Sequence, residues 1–309
     1  MQTSTPPPAA AVRGPGTVVR GLVRAVRPKQ WVKNLLVYAA PAAAGLAGNY
    51  PVMKRTTVAL VVFIAVSSAI YLVNDVRDVA DDRRHPKKRH RPIASDELPV
   101  PVAVAAAVGA LVVAVGLCGY TGTWALLGVV GLYFVLNLAY SMGVKHVPLL
   151  EMFILGSGFV LRALAGAVAT NVPVSSWFLI VVSAGALHIA VSKRLGELVR
   201  TEETGVDGRA VLAHYSVPML REIRTVAVGV ALTAYMLWAF SQAAGAARPV
   251  MYELSAVPFA LALFRYSAAA QTDADAETPE EILLGDVQLL AYGAAWALLF
   301  GLGLLMGGR

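Results

Sequence analysis

The residues best suited to chemistry form an acidic run at positions 74–82, NDVRDVADD. Asp75, Asp78 and Asp82 stand three and then four positions apart, so on a continuing helix they share one face and converge on one point. Three like charges so placed repel one another unless a cation joins them. Carboxylates without His or Cys select a hard ion, and Mg²⁺ links one or two carboxylates to phosphate oxygens. The run therefore predicts a magnesium site with Asp75, Asp78 and Asp82 as ligands and Asn74 assisting.

A cationic run follows at positions 85–92, HPKKRHRP. Its Lys88, Arg89 and Arg91 suit the phosphate charge that a metal ion leaves uncompensated, because guanidinium groups hold phosphate oxygens through paired N–H donors. An acidic metal face followed by basic side chains predicts recognition of a diphosphate. The alternative is a salt-bridged loop that binds nothing, and the regular spacing of the carboxylates at a helix end disfavours it.

The elements that carry these residues are predicted to lie in a membrane. Of the 309 residues, 57% are hydrophobic and 15% charged, and the mean hydropathy is +0.64, a composition outside the range of soluble domains. About 20 apolar residues suffice for a helix to cross a bilayer. The chain contains nine such stretches, at residues 31–48, 56–73, 99–118, 124–140, 149–169, 176–191, 223–240, 250–267 and 284–306. We therefore predict an all-α, polytopic membrane bundle of about nine transmembrane helices.

The distribution of Lys and Arg predicts the orientation of the chain, because cytoplasmic segments retain these residues. They concentrate on one side of the predicted spans, in the N-terminal arm and in the loops at 74–98 and 193–224. This bias places the N-terminus and the acidic run in the cytoplasm, and the protein in the plasma (inner) membrane. The net charge of +7 does not indicate nucleic acid, because the basic residues adjoin spans rather than stacking aromatics.

The N-terminal end has a different composition from the rest of the chain. Residues 1–16, with several Pro and Ala, are predicted to be a disordered tail, and residues 17–309 a single domain. Arg20, Arg24 and Arg27 recur at helical spacing, which predicts a basic helix on the anionic inner leaflet; an ordinary charged flank is the alternative. The single Cys118 excludes disulfides and thiolate metal clusters.

The pattern Asn-Asp-x-x-Asp-x-x-x-Asp, followed by Arg91-Pro92, resembles the UbiA family of intramembrane prenyltransferases. The similarity extends from about residue 24 to the end of the chain. It implies a helical bundle around a central cavity, capped by cytoplasmic loops. It also implies that further residues bind substrate, namely Lys33, Tyr140, Lys145 and Arg162. Two of them have alternatives: Lys145 is also explained as a topology signal, and Arg162 as half of a buried pair with Glu151.

Within the family, residues 27–34 (RPKQWVKN) and 74–94 are most similar to the branch that uses phosphoribosyl pyrophosphate. Most other members carry a second Asp-rich motif after the sixth span, where this chain reads SKRLGE at residues 192–197. Because the phosphoribosyl donor brings a 5-phosphate that needs cations from the protein, Lys193 and Arg194 are expected to bind it. Whether Glu197 or Asp286 contributes to the site is left open.

The resemblance implies a Mg²⁺-dependent glycosyltransferase. Its expected reaction moves 5-phosphoribosyl from phosphoribosyl pyrophosphate to a polyprenyl phosphate, decaprenyl phosphate in particular, and releases pyrophosphate in the synthesis of cell-wall arabinan precursors. The expected partners are these two substrates and membrane lipid, with no nucleic acid, and a homo-oligomer is left open. One alternative is a UbiA-type prenyltransferase with an aromatic acceptor. The other is a transporter or lipid-binding protein without chemistry, which a charged motif at the membrane face rather than at the midplane disfavours.

Overall fold

A computed structural model describes residues 14–205, 209–243, 250–272 and 279–306. All regular structure in these ranges is helical, which confirms the all-α prediction. The α-helices are α1 (Pro15–Ala25), α2 (Ala39–Ala43), α3 (Tyr50–Arg77), α4 (Val79–Arg84), α5 (Val100–Thr121), α6 (Trp124–Met142), α7 (Leu150–Thr170), α8 (Ser176–Thr204), α9 (Val217–Ala243), α10 (Val250–Thr272), α11 (Pro279–Gly285) and α12 (Val287–Met306). Short 3₁₀ stretches lie at Pro28–Tyr38, Lys88–His90, Val144–His146 and Ala210–His214.

Seven of the described helices are long and apolar enough to cross a membrane, namely α3, α5, α6, α7, α8, α9 and α12. The chain is a multi-pass membrane protein, as predicted. Two of the nine predicted spans are not among these seven. The predicted eighth span does form a helix, α10, but Glu253, Pro258 and Arg265 lower its apolar character.

The other span missing from the seven is the first, predicted at residues 31–48. Its residues instead form the 3₁₀ stretch Pro28–Tyr38 and the short helix α2. The backbone of this segment approaches α7 so closely that a Cβ at Gly166 would lie 1.7 Å from the carbonyl oxygen of Val37. Hydropathy reports apolar composition and not helical continuity, so the sequence did not predict that residues 31–48 form two short elements rather than one long helix.

The chain divides into two compact units, and the first consists of Met1–Pro28 and Ala65–Val113. Its core joins α1 to the end of α3 and the start of α5 through the buried residues Ala25, Ala69, Leu72, Ile93, Leu98, Ala103 and Ala107. Helix α1 begins at Pro15, inside the predicted disordered tail. Residues 1–13 of that predicted tail lie outside the described ranges. The acidic run and the cationic run both belong to this unit.

The second unit consists of Lys29–Ile64 and Ala114–Arg309. One of its buried clusters packs α7 against α8 and the start of α9, through Met152, Ala190, Val191, Leu195, Leu198, Val211, Leu212, Tyr215 and Leu220. Val191, Leu195 and Leu198 share one face of α8 because they recur at helical spacing. Arg194 lies on that same face, so apolar packing carries its guanidinium into the interior.

Candidate active site

The acidic run does not continue as one helix, which is where the sequence prediction was wrong. Helix α3 ends at Arg77 and α4 begins at Val79, with Asp78 between them at φ −88° and ψ 6°. The backbone carbonyl of Asp78 accepts the N–H groups of Asp81 at 3.0 Å and Asp82 at 2.8 Å, which starts the new helix. As a result, no three carboxylates in the described ranges lie close enough together to hold a metal ion without rearrangement.

Two of the three predicted ligands are joined by an arginine. The side chains of Asp75 and Asp82 are each 3% exposed. Nη1 of Arg91 donates to Oδ1 of Asp75 at 3.2 Å and to Oδ2 of Asp82 at 2.7 Å. Nη2 of Arg27 donates to the same Asp75 oxygen at 2.7 Å. These four residues, Arg27, Asp75, Asp82 and Arg91, form what we call the aspartate cluster, and their formal charges sum to zero.

Arg27 is a member that the sequence analysis missed, because it was assigned to the membrane-facing side of a basic helix. Its backbone lies in the left-handed region at φ +53°, immediately after α1 ends. Its guanidinium carbon lies 4.9 Å from the centre of the Tyr71 ring. The left-handed backbone and the ring contact hold Arg27 on Asp75 rather than towards lipid. The signals in the sequence were its position directly before Pro28 and its place in the RPKQWVKN segment at residues 27–34.

The aspartate cluster fits a magnesium ion by its chemistry. One oxygen of Asp75 and one of Asp82 both contact a single nitrogen atom, at 3.2 Å and 2.7 Å, so one cationic group already joins the two carboxylates. All candidate ligands are oxygen atoms, as a hard cation requires. Asp78, half-buried at the helix break, and Asn74, in the last turn of α3, are the remaining predicted ligands.

The predicted phosphate-binding residues of the cationic run lie on the surface. Lys88 and Arg89 are exposed and belong to the 3₁₀ turn Lys88–His90. Nδ1 of His85 accepts the backbone N–H groups of Lys87 at 3.2 Å and Lys88 at 3.3 Å, which fixes the start of this turn. Lys88 and Arg89 are thus accessible to a ligand, whereas Arg91 is engaged with the two aspartates.

In the second unit, the SKRLGE segment forms a different network around Arg194, which is 1% exposed. Its Nε donates to Oε1 of Glu151 at 2.6 Å and its Nη2 to Oε2 of Glu151 at 2.5 Å. Nη1 donates to Glu197 at 2.6 Å, and Nη2 also donates to the hydroxyl of Tyr140 at 3.2 Å. The Tyr215 hydroxyl donates to Glu151 at 3.3 Å and accepts the backbone N–H of Leu149 at 2.8 Å. We call Arg194, Glu151, Glu197, Tyr140 and Tyr215 the Arg194 network.

The phosphate contact of Arg194 stays a prediction, and the geometry around its guanidinium does not favour it. Its guanidinium is buried, and two carboxylates and a hydroxyl already occupy its N–H donors. Glu197, whose role the sequence left open, pairs with Arg194 in the structure. Burial raises the pKa of the Tyr215 hydroxyl, which therefore remains a neutral donor to Glu151. Arg194 is better described as a residue that orders this part of α8.

Lys193 is the neighbouring cation that remains available. Its side chain is half-buried, and it makes no hydrogen bond or ion pair with any residue in the described part of the chain. Its electrostatic neighbours are Glu197, Arg194, Arg209 and Lys33. Lys33 itself lies 3.0 Å from Glu280, a carboxylate that is almost fully buried. Arg209 and Glu280 were not predicted as site residues, although Glu280 belongs to the late PEEI segment at 279–282.

Arg162 lies inside α7 and is held by neutral groups. Its Nε donates to Asn34, its Nη1 to the carbonyl of Gly158 and its Nη2 to the hydroxyl of Tyr133, each at 2.7 Å. The proposed pair with Glu151 is wrong, because Glu151 holds Arg194. Since Asn34 is adjacent to Lys33 in the chain, Arg162 fixes the segment that presents Lys33.

Two further residues from the sequence analysis, Lys145 and Asp286, belong neither to the aspartate cluster nor to the Arg194 network. Lys145 lies half-buried in the 3₁₀ turn after α6. Asp286, whose role the sequence left open, accepts the N–H of Leu289 at 2.8 Å and pairs with Arg265 at 2.7 Å. Its hydrogen bond with Arg265 holds the pKa of Asp286 below its usual range. Asp286 therefore serves as the N-terminal cap of α12.

An apolar cavity of about 870 Å³ lies among α6, α7, α8 and α9 of the second unit. Leu136, Phe153, Leu187 and Val226 are among its lining residues, with few polar groups. Met152, which follows Glu151 in α7, also lines it. The composition of the lining suits a hydrocarbon chain.

Comparison with known proteins defines the class. Residues 35–282 match the UbiA prenyltransferase family, and the chain belongs to that family. A solved structure of a UbiA homolog from Archaeoglobus fulgidus bound to GPP and Mg²⁺ has the same fold, with a TM-score of 0.68 and 15% identity over 93% of this chain and 99% of that one.

Two relatives are more similar in sequence. The decaprenyl-phosphate phosphoribosyltransferase of Corynebacterium glutamicum is 43% identical over 287 residues, which cover 91% of this chain and 86% of the relative. The protein of the same name from Mycolicibacterium smegmatis is 41% identical and covers 91% of this chain and 92% of the relative.

Proposed function

We propose that this protein transfers the 5-phosphoribosyl group of phosphoribosyl pyrophosphate to a polyprenyl phosphate, decaprenyl phosphate in particular, and releases pyrophosphate. The observation that carries the proposal is the similarity to decaprenyl-phosphate phosphoribosyltransferases along nine-tenths of the chain, at up to 43% identity. The reaction assigns the protein to the synthesis of cell-wall arabinan (arabinogalactan) precursors.

The aspartate cluster is assigned to the diphosphate leaving group. Asp75, Asp78 and Asp82, with Asn74 assisting, are the residues proposed to hold Mg²⁺, which when bound stabilises the negative charge that develops on the departing pyrophosphate. Magnesium in the Archaeoglobus fulgidus structure supports this choice of ion. The exposed Lys88 and Arg89 take up phosphate oxygens that the metal leaves free.

No general base is required on the acceptor. A polyprenyl phosphate is already anionic at neutral pH, so its oxygen attacks C1 of the ribose directly, from the face opposite the pyrophosphate. The anomeric carbon, which is oxocarbenium-like during the transfer, is inverted. The carboxylates are therefore cast as metal ligands rather than proton acceptors.

The 5-phosphate of the donor is assigned to lysine side chains. Lys193 is the first of them, because its ammonium is not engaged in the described part of the chain, and Lys33 is the second. Arg194 and Tyr140 hold the helix that carries Lys193, and Arg162 holds the segment that carries Lys33. Lys145 is retained as a further phosphate contact on sequence grounds.

The lipid acceptor and the orientation complete the proposal. The apolar cavity among α6 to α9 suits part of an isoprenoid chain. The excess of Lys and Arg on one side of the predicted spans supports a cytoplasmic N-terminus and a cytoplasmic active site in the plasma membrane.

The direct test uses purified full-length protein in lipid nanodiscs, with labelled phosphoribosyl pyrophosphate, decaprenyl phosphate and Mg²⁺. We expect the label to enter the lipid phase and pyrophosphate to be released in equal amount. A parallel reaction contains a prenyl diphosphate and hydroxybenzoate. If the aromatic acceptor is prenylated and no label reaches the lipid, the chain is a conventional UbiA prenyltransferase and the proposal is overturned.

A further inference from the structure

Arg91 contacts both Asp75 and Asp82, the two buried aspartates that are proposed to hold the metal ion. We propose that Arg91 is an exchangeable cation: its guanidinium holds the two buried aspartates while no metal is bound, and it transfers to the diphosphate when Mg²⁺ takes its place between the carboxylates. The inference rests on the proposed function, which supplies the diphosphate. The inference goes beyond that function because it assigns Arg91 two successive partners, first the two aspartates and then the diphosphate.

The first step of the argument is the contact geometry. A single atom, Nη1 of Arg91, contacts Oδ1 of Asp75 at 3.2 Å and Oδ2 of Asp82 at 2.7 Å. A small cation that took up the same two oxygens would compete with that nitrogen for them. Metal and guanidinium therefore exclude each other at this position.

Arg91 can leave this position without unfolding its segment. Its backbone N–H donates to the carbonyl of Lys88 at 2.9 Å, and its carbonyl accepts the N–H of Ser95 at 2.9 Å. The side chain is 30% exposed and adjoins the exposed turn Lys88–His90. With the backbone fixed on both sides and an open face beside the guanidinium, rotation of the side chain alone is sufficient.

The second arginine of the aspartate cluster is less suited to exchange. Arg27 contacts Asp75 but not Asp82, so it does not lie between the two ligands. Its guanidinium also lies over the Tyr71 ring, which gives it a partner that metal binding does not remove. Arg27 is therefore expected to stay on Asp75 when Arg91 departs.

Charge balance indicates that Mg²⁺ replaces Arg91 only when a diphosphate also binds. The two arginines already neutralise the two aspartates, so Mg²⁺ alone would add two uncompensated positive charges to a largely buried site. A diphosphate brings the missing negative charge and also a destination for the Arg91 guanidinium. Metal and diphosphate are therefore expected to bind cooperatively, with each weak in the absence of the other.

The test measures binding rather than catalysis. Full-length protein in nanodiscs is titrated with Mn²⁺, followed by electron paramagnetic resonance, in the absence and presence of inorganic pyrophosphate. Three proteins are compared: wild type, Arg91→Gln and the control Arg84→Gln. Arg84 is the matched control because it lies in the same unit and pairs with the exposed Asp81, at 3.6 Å.

We expect Arg91→Gln to change the two affinities in opposite directions. Without pyrophosphate, Arg91→Gln should bind Mn²⁺ about tenfold or more tightly than wild type, because no guanidinium has to be displaced. In the presence of Mn²⁺, the same variant should bind pyrophosphate about tenfold or more weakly, because the second partner of Arg91 is the diphosphate. Arg84→Gln should match wild type in both titrations.

Other outcomes overturn the proposal in distinguishable ways. If Arg91 only supports the fold, both affinities fall; if it only contacts phosphate, Mn²⁺ binding without pyrophosphate is unchanged. If Arg91→Gln does not fold, Arg91→Lys is measured instead. Its affinities for Mn²⁺ and for pyrophosphate must change in the same opposite directions, each by a smaller factor. A wild type that binds no Mn²⁺ even with pyrophosphate contradicts the metal site and the exchange together. A protein that shows these opposite changes in affinity but transfers no phosphoribosyl group contradicts the proposed function alone.

Discussion

Arg91 and Arg194 each join two carboxylates, but they differ in what surrounds them. Arg91 is 30% exposed and reaches the aspartates from a surface loop beside a helix break. Arg194 is 1% exposed and is fixed in the middle of α8, with a bidentate contact to Glu151. The first arrangement leaves the arginine free to change partners, whereas the second commits it to one arrangement. The comparison leads to the prediction that burial and backbone context, rather than residue type, decide whether a cation is available to a ligand.

The largest effect is expected where the ion pair is most deeply buried. Glu151→Gln leaves the Arg194 guanidinium with one carboxylate fewer in the interior, and breaking such a pair should lower the free energy of unfolding by about 3–5 kcal/mol. The measurement is an unfolding titration in mixed micelles, with the exposed Glu203→Gln on the same helix as the control. A variant as stable as wild type would show that the Arg194 network is not structural.

The next effect concerns catalysis at the aspartate cluster. Asp75→Asn or Asp78→Asn should remove at least about 3 kcal/mol of transition-state stabilisation, a hundredfold or more in turnover, because each is a proposed metal ligand. The matched control is Asp81→Asn, since Asp81 belongs to the same run but its side chain is 86% exposed and pairs with Arg84. Near-normal turnover in both Asp75→Asn and Asp78→Asn, with the proteins folded, would contradict the metal assignment.

A smaller effect on stability is expected for Tyr215, a neutral member of the Arg194 network. Tyr215→Phe removes a hydroxyl that donates to Glu151 at 3.3 Å and accepts the backbone N–H of Leu149 at 2.8 Å. Loss of these contacts should lower the free energy of unfolding by about 1–2 kcal/mol. Tyr50→Phe, which changes an exposed tyrosine, serves as the control in the same unfolding titration. If Tyr215→Phe and Tyr50→Phe are equally stable, the Tyr215 hydroxyl does not stabilise the fold, and the stabilisation by the Arg194 network comes from its charged members.

The smallest effect is expected for an ion pair of the same chemical type outside both networks. Arg84→Gln breaks a contact with Asp81 in which both side chains are more than 80% exposed. Solvent screening should keep the change in unfolding free energy within about 0.5 kcal/mol. A loss comparable with that of Glu151→Gln would contradict the idea that burial sets the importance of these pairs.

The sequence predicted the membrane class, the helical fold and the Asp-rich motif, because apolar composition and residue spacing are local properties. It did not predict the break at Asp78, since NDVRDVADD contains no Pro or Gly to mark it. It also could not choose the partner of Glu151, because Arg162 and Arg194 both lie in apolar helices and only packing decides which one reaches it. Pairing between charged residues that are distant in the chain depends on tertiary contacts, which cannot be read from residue spacing in a single sequence.

The measurement that tests the central claim most directly compares two donors in wild type and Lys193→Ala. The donors are phosphoribosyl pyrophosphate and its analogue without the 5-phosphate, with decaprenyl phosphate as acceptor and the exposed Lys54→Ala as control. A charge-assisted contact is worth about 1.5–3 kcal/mol, so wild type and Lys54→Ala should prefer the full donor about tenfold to a hundredfold through this contact. In Lys193→Ala that preference should shrink by the same factor, because a contact already lost cannot be lost again. Undiminished preference in Lys193→Ala would contradict the account, since the 5-phosphate would then bind elsewhere.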